Sequence, residues 1–466
     1  MAPTDTVITG LGVVSSIGIG HEAFAESLKS GRSGIRDLTQ LPSDSFADIW
    51  VGDSLKQSHG LKRAPFLGIG GPIVDFDAKQ FVKPRKALKV MCREIQTTFA
   101  SARLAIEDAG LDSTLPIASS DTTANVSPSL SIDRIGTVFG SEMLYGQPVE
   151  LADAFEQCCD DSGRVDKSQF GNAAMTQIMP LWMLKYLPNM PACHVGISLG
   201  VRGPNNTLTL GDVSGGAALY EAMGYLKRGI ADAMITAACG SRMNVTRSVF
   251  TEDQPLSPGH EPVDRSSRPH ARDADGLVRG EASASLVVET RRAAEMAGHA
   301  IWAKVTGLAS RFVASESFRS GRRTNRMDAN AGRGSQSAMT AAMTAAMKQA
   351  NVGAEQIGLL VSHAMGDPAI DSLERQAIAS CLPDVPVAMP ISLTGHTGAA
   401  SGMLEIATGL LCLRHRMIPP VPHAHHCVSG LNVCCEPRQL KQNAVLVLTH
   451  TSPGSATATV LETDET

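Results

Sequence analysis

Apolar positions along this chain recur as one theme: a short apolar run, a glycine-rich turn, then a helical period. VITGLGVVSSIG near the start predicts a strand and a turn, and FAESLKSG after it predicts a helix stopped by glycine. Leu88, Met91, Ile95, Phe99, Ala102 and Ile106 repeat at helical spacing, which predicts a helix across 86–110. TVFGSE (137–142) predicts a strand running into a turn. TLTLGDVSGGAALYEAMGYLKRG (207–229) predicts strand, turn, helix and glycine stop, and DAMITAACG and ASLVVE predict two further strands. The second half repeats the theme. An Ala/Met helix is expected at 335–350, and a strand, IGLLVSHA (357–364), ends at a histidine. A glycine-rich turn, GHTGAASG (395–402), opens a long apolar helix to about residue 415. NAVLVLTHT and ATATVLE close the chain as paired strands. Two halves that each alternate strand and helix imply stacked layers with buried mixed sheets. The polar, turn-rich segments 111–134 and 251–276 read as excursions or linkers.

Composition narrows the class. With 41 Lys and Arg against 46 Asp and Glu, the net charge of −5 argues against binding nucleic acid by phosphate neutralisation. Aromatics at 4% and 43 glycines require a core of small aliphatic side chains and tight turns. No apolar run reaches the roughly 18 residues of a membrane helix. MAPTDTVITG lacks the basic-then-apolar order of a signal peptide. The ten cysteines stand singly or as the adjacent pairs Cys158–Cys159 and Cys434–Cys435, which are poor disulfide partners. Free thiols in a reducing cytoplasm are expected.

Several short stretches carry a family pattern in order. Gly203-Pro204-Asn205 and Ser214-Gly215 flank a strand-to-helix elbow. RPHARDADGLVRGEA (268–282) precedes a strand. His363 is followed by Asp371 and Glu374, and Thr394-Gly395-His396 by Gly398, Ala400 and Gly402. In these motifs the chain resembles, end to end, the β-ketoacyl-acyl-carrier-protein synthases. The resemblance implies a thiolase fold: duplicated halves, 1–255 and 256–466, in a five-layered α/β/α/β/α arrangement, dimeric through the first half.

The family carries a nucleophilic cysteine at the elbow, where a helix N-terminus lowers a thiol pKa and offers N–H donors to an oxyanion. Two histidines then stabilise the enolate left by malonyl decarboxylation. Here the register places Asp212 at the cysteine position, with His363 and His396 at the histidine positions and Asp371 and Glu374 in support. A carboxylate is a weak acyl nucleophile, and aspartate near a helix start is a favoured cap. The HGTxT run that holds pantetheine reads HAMGD, so Met365 and Asp367 replace two threonines. The lysine expected to complement the glutamate matched by Glu374 is Ile391, which leaves Glu374 without that partner. The closing Phe-Gly-Phe gate reads Thr451-Ser452-Pro453.

Four elements of elongation chemistry have changed together. The preferred reading is a chain-length-factor-like partner or scaffold of fatty acid or polyketide biosynthesis, defective in condensation. It would be a homodimer or a heterodimer with an active synthase, in contact with acyl carrier protein. The alternative is altered acyl-thioester chemistry, decarboxylation or hydrolysis, using His363 and His396. An ordinary condensing enzyme would need another nucleophile, and neither Cys193 nor Cys239 sits at the elbow. No cofactor is implied. Asp212, His363 and His396 could converge on a divalent metal, but an Asp–His ion pair in a dead site is preferred. HAHHCVSGLNVCC (423–435) lacks the spacing of a structural zinc site. Met339, Met343 and Met347 read as a packed helix face. The basic run RSGRRTNR (319–326) reads as a solvated loop.

Overall fold

A computed structural model of the chain describes residues 5–40, 68–111, 130–160, 162–244, 246–247, 254–315 and 334–464. The basic run 319–326 and most of the excursion at 111–134 lie outside the described residues.

Ten strands carry the architecture: β1 (Thr6–Ser15), β2 (Ile135–Gly140), β3 (Asn205–Leu208), β4 (Ala233–Ser241), β5 (Glu281–Thr290), β6 (Ala303–Phe312), β7 (Ile357–Val361), β8 (Val387–Ala388), β9 (Ala444–His450) and β10 (Ser455–Glu462). Their lateral order is β8-β7-β9-β10-β6-β1-β5-β4-β2-β3. Read outward from the β1–β6 junction, each half runs first, fifth, fourth, second, third. The pairing senses also repeat. β2 is parallel to β3 and β4, and β4–β5 and β5–β1 are antiparallel. β7 is parallel to β8 and β9, and β9–β10 and β10–β6 are antiparallel. The halves join through the short antiparallel register Val7↔Lys304 and Ile8↔Ala303. This is the duplicated fold expected. The sheet divides between Thr290 and Ala303, one strand later than position 255.

The helices complete five layers. α1 (Arg93–Asp108) covers the outer face of β1, β5 and β4, with α2 (Met190–Leu199) beside it. α3 (Ser214–Lys227) and α6 (Ser401–Arg414) lie between the two half-sheets and touch both. α4 (Gln336–Ala350) covers β6 and β10, with α5 (Pro368–Cys381) packed on it. Of the expected α4 face, Met339 and Met343 are fully buried and Met347 is partly buried against the same core. Among the described residues, no helix is long and apolar enough to cross a membrane.

The inner layer explains the small side chains. α6 is buried from Ser401 to Leu413, so no flank is free for a polar face. A Cβ at Gly215 would sit 2.7 Å from the Met403 backbone nitrogen, and one at Gly402 would sit 3.2 Å from the Asp212 carbonyl oxygen. The N-termini of α3 and α6 therefore meet backbone to backbone, which only glycine permits. That approach brings the segments carrying Asp212 and His396 together.

Candidate active site

Each candidate side chain sits where an element ends. Asp212 lies in a one-turn 3-10 segment, Gly211–Val213, that feeds α3. Gly211 takes the left-handed conformation, φ 66°, that turns the chain into it. His363 lies two residues beyond β7. His396 follows Gly395 (φ 72°) in the turn before α6. Its backbone is clamped: N–H to the Val278 carbonyl at 2.8 Å, and carbonyl to the Gly280 N–H at 3.0 Å.

These turns bring the three together. Asp212 Oδ2 is 3.5 Å from His396 Nε2 and 3.8 Å from His363 Nε2. Both rings are 0% exposed and Asp212 is 4% exposed. The other carboxylate oxygen, Oδ1, accepts from Arg242 Nη2 at 2.9 Å. Arg242 leads into a second buried pair, Arg247 Nη2 donating to Glu142 Oε2 at 2.6 Å. Glu142 also accepts the Ser241 N–H and the Ala399 N–H. Arg242 is held charged against its burial by Glu142 and Asp212. Behind His363, Nδ1 donates to Glu405 Oε1 at 2.6 Å, and Thr449 Oγ1 donates to Glu405 Oε2 at 2.6 Å.

Electrostatics follow from this wiring. Burial alone would raise the Asp212 carboxyl, but His396, Arg242 and His363 outweigh it and hold it well below the carboxylate range. Burial would lower His363, yet Glu405 and Asp212 push it up to about 10. His396 is pushed down to about 4 by burial, against the pull of Asp212. The site thus holds an ionised Asp212, a protonated His363 and a neutral His396.

A second polar cluster supports His363. Glu374 accepts from Ser362 Oγ at 2.9 Å, from the His363 N–H at 3.1 Å and from His450 Nε2 at 3.3 Å, with His270 Nε2 at 3.7 Å. Asp371 accepts the backbone N–H groups of Met365, Gly366 and His270, which fixes the turn after His363. His270 is a buried non-glycine residue at φ 56°, held by that bond and by the Val428 N–H on its carbonyl.

The β-ketoacyl synthase N-terminal domain profile matches residues 4–294, and the C-terminal domain profile matches 311–425. The chain belongs to the β-ketoacyl synthase family. The 3-oxoacyl-[acyl-carrier-protein] synthase 2 of Vibrio cholerae serotype O1 is 26% identical over 439 residues, covering 93% of this chain and 92% of that protein. A Staphylococcus aureus protein of the same name is 26% identical over 425 residues, covering 90% and 87%. Among solved structures, a β-ketoacyl synthase from Burkholderia phymatum superposes with a TM-score of 0.77 at 21% identity, covering 99% of this chain and 100% of that one. The ishigamide ketosynthase/chain length factor gives 0.75 at 21%, covering 100% of both.

Within this β-ketoacyl synthase family member, some expectations need correcting. Glu374 is not left without partners where Ile391 replaces a lysine: two histidines and a serine surround it. Ile391 itself is buried in a short helix, and its carbonyl accepts from Ser267 Oγ. Asp367 is 1% exposed. It is the N-cap of α5 and accepts from the Ala369 and Ile370 N–H groups. Met365 is 0% exposed and packs with Leu277 and Ile370. Thr451 and Pro453 form a turn whose carbonyls accept the Gly454 and Ser315 N–H groups. The Thr451 methyl reaches the Gly211 turn that carries Asp212. Segment 254–276 is no simple linker, because Ser266–Ala271 is buried and delivers His270. Cys239 is buried in β4 with its thiol pushed up to about 12, chiefly by burial. The 423–435 tract does not bring three ligand atoms together among the described residues. His423 binds the Pro269 carbonyl, and Cys435 Sγ lies 3.8 Å from His425 Nδ1.

Two expected outcomes follow. Asp367→Ala removes the cap of α5 and should lower stability by about 0.5–2 kcal/mol, read as the urea midpoint. Burial would raise Glu374, but His450, His270 and His363 hold it near 2, below its ordinary 4.5. Its contribution to stability is therefore present above about pH 4.5 and is lost as pH falls toward 2. Urea midpoints between pH 7 and 3 should fall more steeply for the native chain than for Glu374→Gln. Parallel curves would contradict this assignment.

Proposed function

We propose that this β-ketoacyl-synthase-like protein of fatty acid or polyketide biosynthesis does not condense acyl groups itself. It acts as a chain-length-factor-like partner of an active synthase. One observation carries the reading: the carboxylate at the nucleophile position is buried and already hydrogen-bonded and ion-paired to Arg242. An acyl group transferred there would remove the negative charge that pairs with the buried Arg242, and the resulting anhydride would hydrolyse readily. The surroundings agree. Met365 is packed into the core and Asp367 is used as a cap, so neither offers the hydroxyl that would bind a pantetheine arm. A buried Arg242–Glu142–Arg247 chain stands beside Asp212.

The dimeric reading rests on the first half. β3 is the last strand of the order, with Asn205 and Asn206 exposed. Near it Ile197 is 77% and Tyr220 54% exposed. An open strand edge flanked by apolar side chains suits a pairing partner of the same fold. Acyl carrier protein is the expected further partner, by family membership.

The second reading, decarboxylation or hydrolysis of an acyl thioester, is favoured by the free His363 Nε2 and His396 ring nitrogens. Purification of a tagged chain from its native host separates the two. A stoichiometric complex with a cysteine-containing synthase supports the partner role. A clean homodimer that releases CO₂ or free acid from malonyl carrier protein supports the second.

A further inference from the structure

The Asp212 cluster holds more unsatisfied nitrogen than an ion pair needs. His363 Nε2 and both ring nitrogens of His396 are buried without a hydrogen-bond partner among the described residues. The two Nε2 atoms stand 3.8 and 3.5 Å from Asp212 Oδ2, too far for good hydrogen bonds. Two ligand atoms each about 2.1 Å from a tetrahedral ion lie roughly 3.4 Å apart. The three ligand atoms fall within 4.8 Å of one another, a spread not far above that of a closed set.

The surroundings suit an ion as well. His363 Nδ1 donates to Glu405, itself fixed by Thr449, so Nε2 is the ring nitrogen that faces Asp212, and an ion bound there takes the place of its proton. That carboxylate–imidazole arrangement is the usual support for a metal ligand. Arg242 takes only Oδ1 and leaves Oδ2 open. The connected network sets the carboxylates of Asp212, Glu142, Glu405 and Glu374 against Arg242, Arg247 and the protonated His363. A divalent cation offsets the surplus negative charge.

We propose that Asp212, His363 and His396 form a binding site for a late first-row divalent ion of the Zn²⁺ or Co²⁺ type. Two imidazoles and one carboxylate favour such an ion over Mg²⁺ or Ca²⁺. The site does not depend on the partner role, because it uses no residue of a second chain.

The test uses the full chain stripped with chelator. Co²⁺ is added to the native protein and, separately, during refolding from denaturant, so that burial of the site does not block entry. Visible Co²⁺ absorption and Zn²⁺ content after gel filtration report binding. The expected result is one ion per chain and a higher thermal midpoint with Zn²⁺. Asp212→Asn and His396→Gln should each weaken binding by more than about 100-fold. A variant with His425→Ala and Cys435→Ser, which removes the exposed His–Cys pair, should bind as before. Melting without metal shows whether each variant is folded, and if His396→Gln is not, Asp212→Asn decides. The proposal is overturned if neither route loads an ion. It is equally overturned if binding survives the decisive site variant, or disappears with His425 and Cys435.

Discussion

Asp212→Cys is expected to leave the chain without useful condensation activity, at least about 100-fold below an ordinary synthase under the same conditions. The substitution supplies a thiol at the N-terminus of α3, where the helix dipole and Arg242 favour the thiolate. It does not supply a way to hold the thioester. By the family register, Met365 and Asp367 replace two threonines expected to bind pantetheine, and Ile391 replaces a lysine expected to complement Glu374. Binding energy from that arm positions a thioester for attack, and a misplacement of about 1 Å can cost about 100-fold. Asp367 is 1% exposed and turned into α5 as its cap. Its charge therefore repels an acidic carrier protein less than its position in the sequence suggests, and the missing hydroxyls carry the effect. Incubation with acyl and malonyl carrier proteins, read for 3-oxoacyl product, checks it. Turnover near that of an ordinary synthase would mark the chain as a recently disabled enzyme.

Arg242→Leu is expected to cost about 3–5 kcal/mol of stability, the usual loss when one partner of a buried ion pair is removed. Arg242 Nη2 binds Asp212 Oδ1, and the guanidinium is also stabilised electrostatically by Glu142. Without it, Asp212 keeps only the histidines, and Glu142 keeps Arg247. Adding Asp212→Leu should recover part of the loss, because the stranded carboxylate goes with it. Urea unfolding of the two single variants and the double variant measures the coupling. A loss below about 1 kcal/mol for Arg242→Leu, with additive variants, would show that the carboxylate does not depend on the guanidinium.

Much of the fold was legible because its signals are local. Apolar runs, glycine stops and helical spacing mark β1, β2, β4, β5, α1, α3, α4, α6 and the closing hairpin. β6 carries a weak signal in the sequence, since Lys304, Thr306 and Ser310 interrupt its apolar run and its last residues are exposed. Asp212, His363 and His396 were placed by motif order, and the structure brings them together. Their charge partners were not foreseen. Arg242, just past the end of β4, meets Asp212 across 30 residues of chain, a contact that no spacing encodes. Glu405 did leave a trace, as a single carboxylate in the otherwise apolar SGMLEIATGLLCL. His450 left another, as a histidine ending an apolar strand.

The central claim is that the chain keeps the synthase scaffold while its elbow cannot carry an acyl group. Intact mass spectrometry of the purified native-sequence chain, after incubation with acyl and malonyl carrier proteins, tests this most directly when 3-oxoacyl product is followed in the same reaction. The account predicts an unmodified protein mass and no 3-oxoacyl product. An acyl adduct mapped to Asp212, with product accumulating over many turnovers, would contradict it.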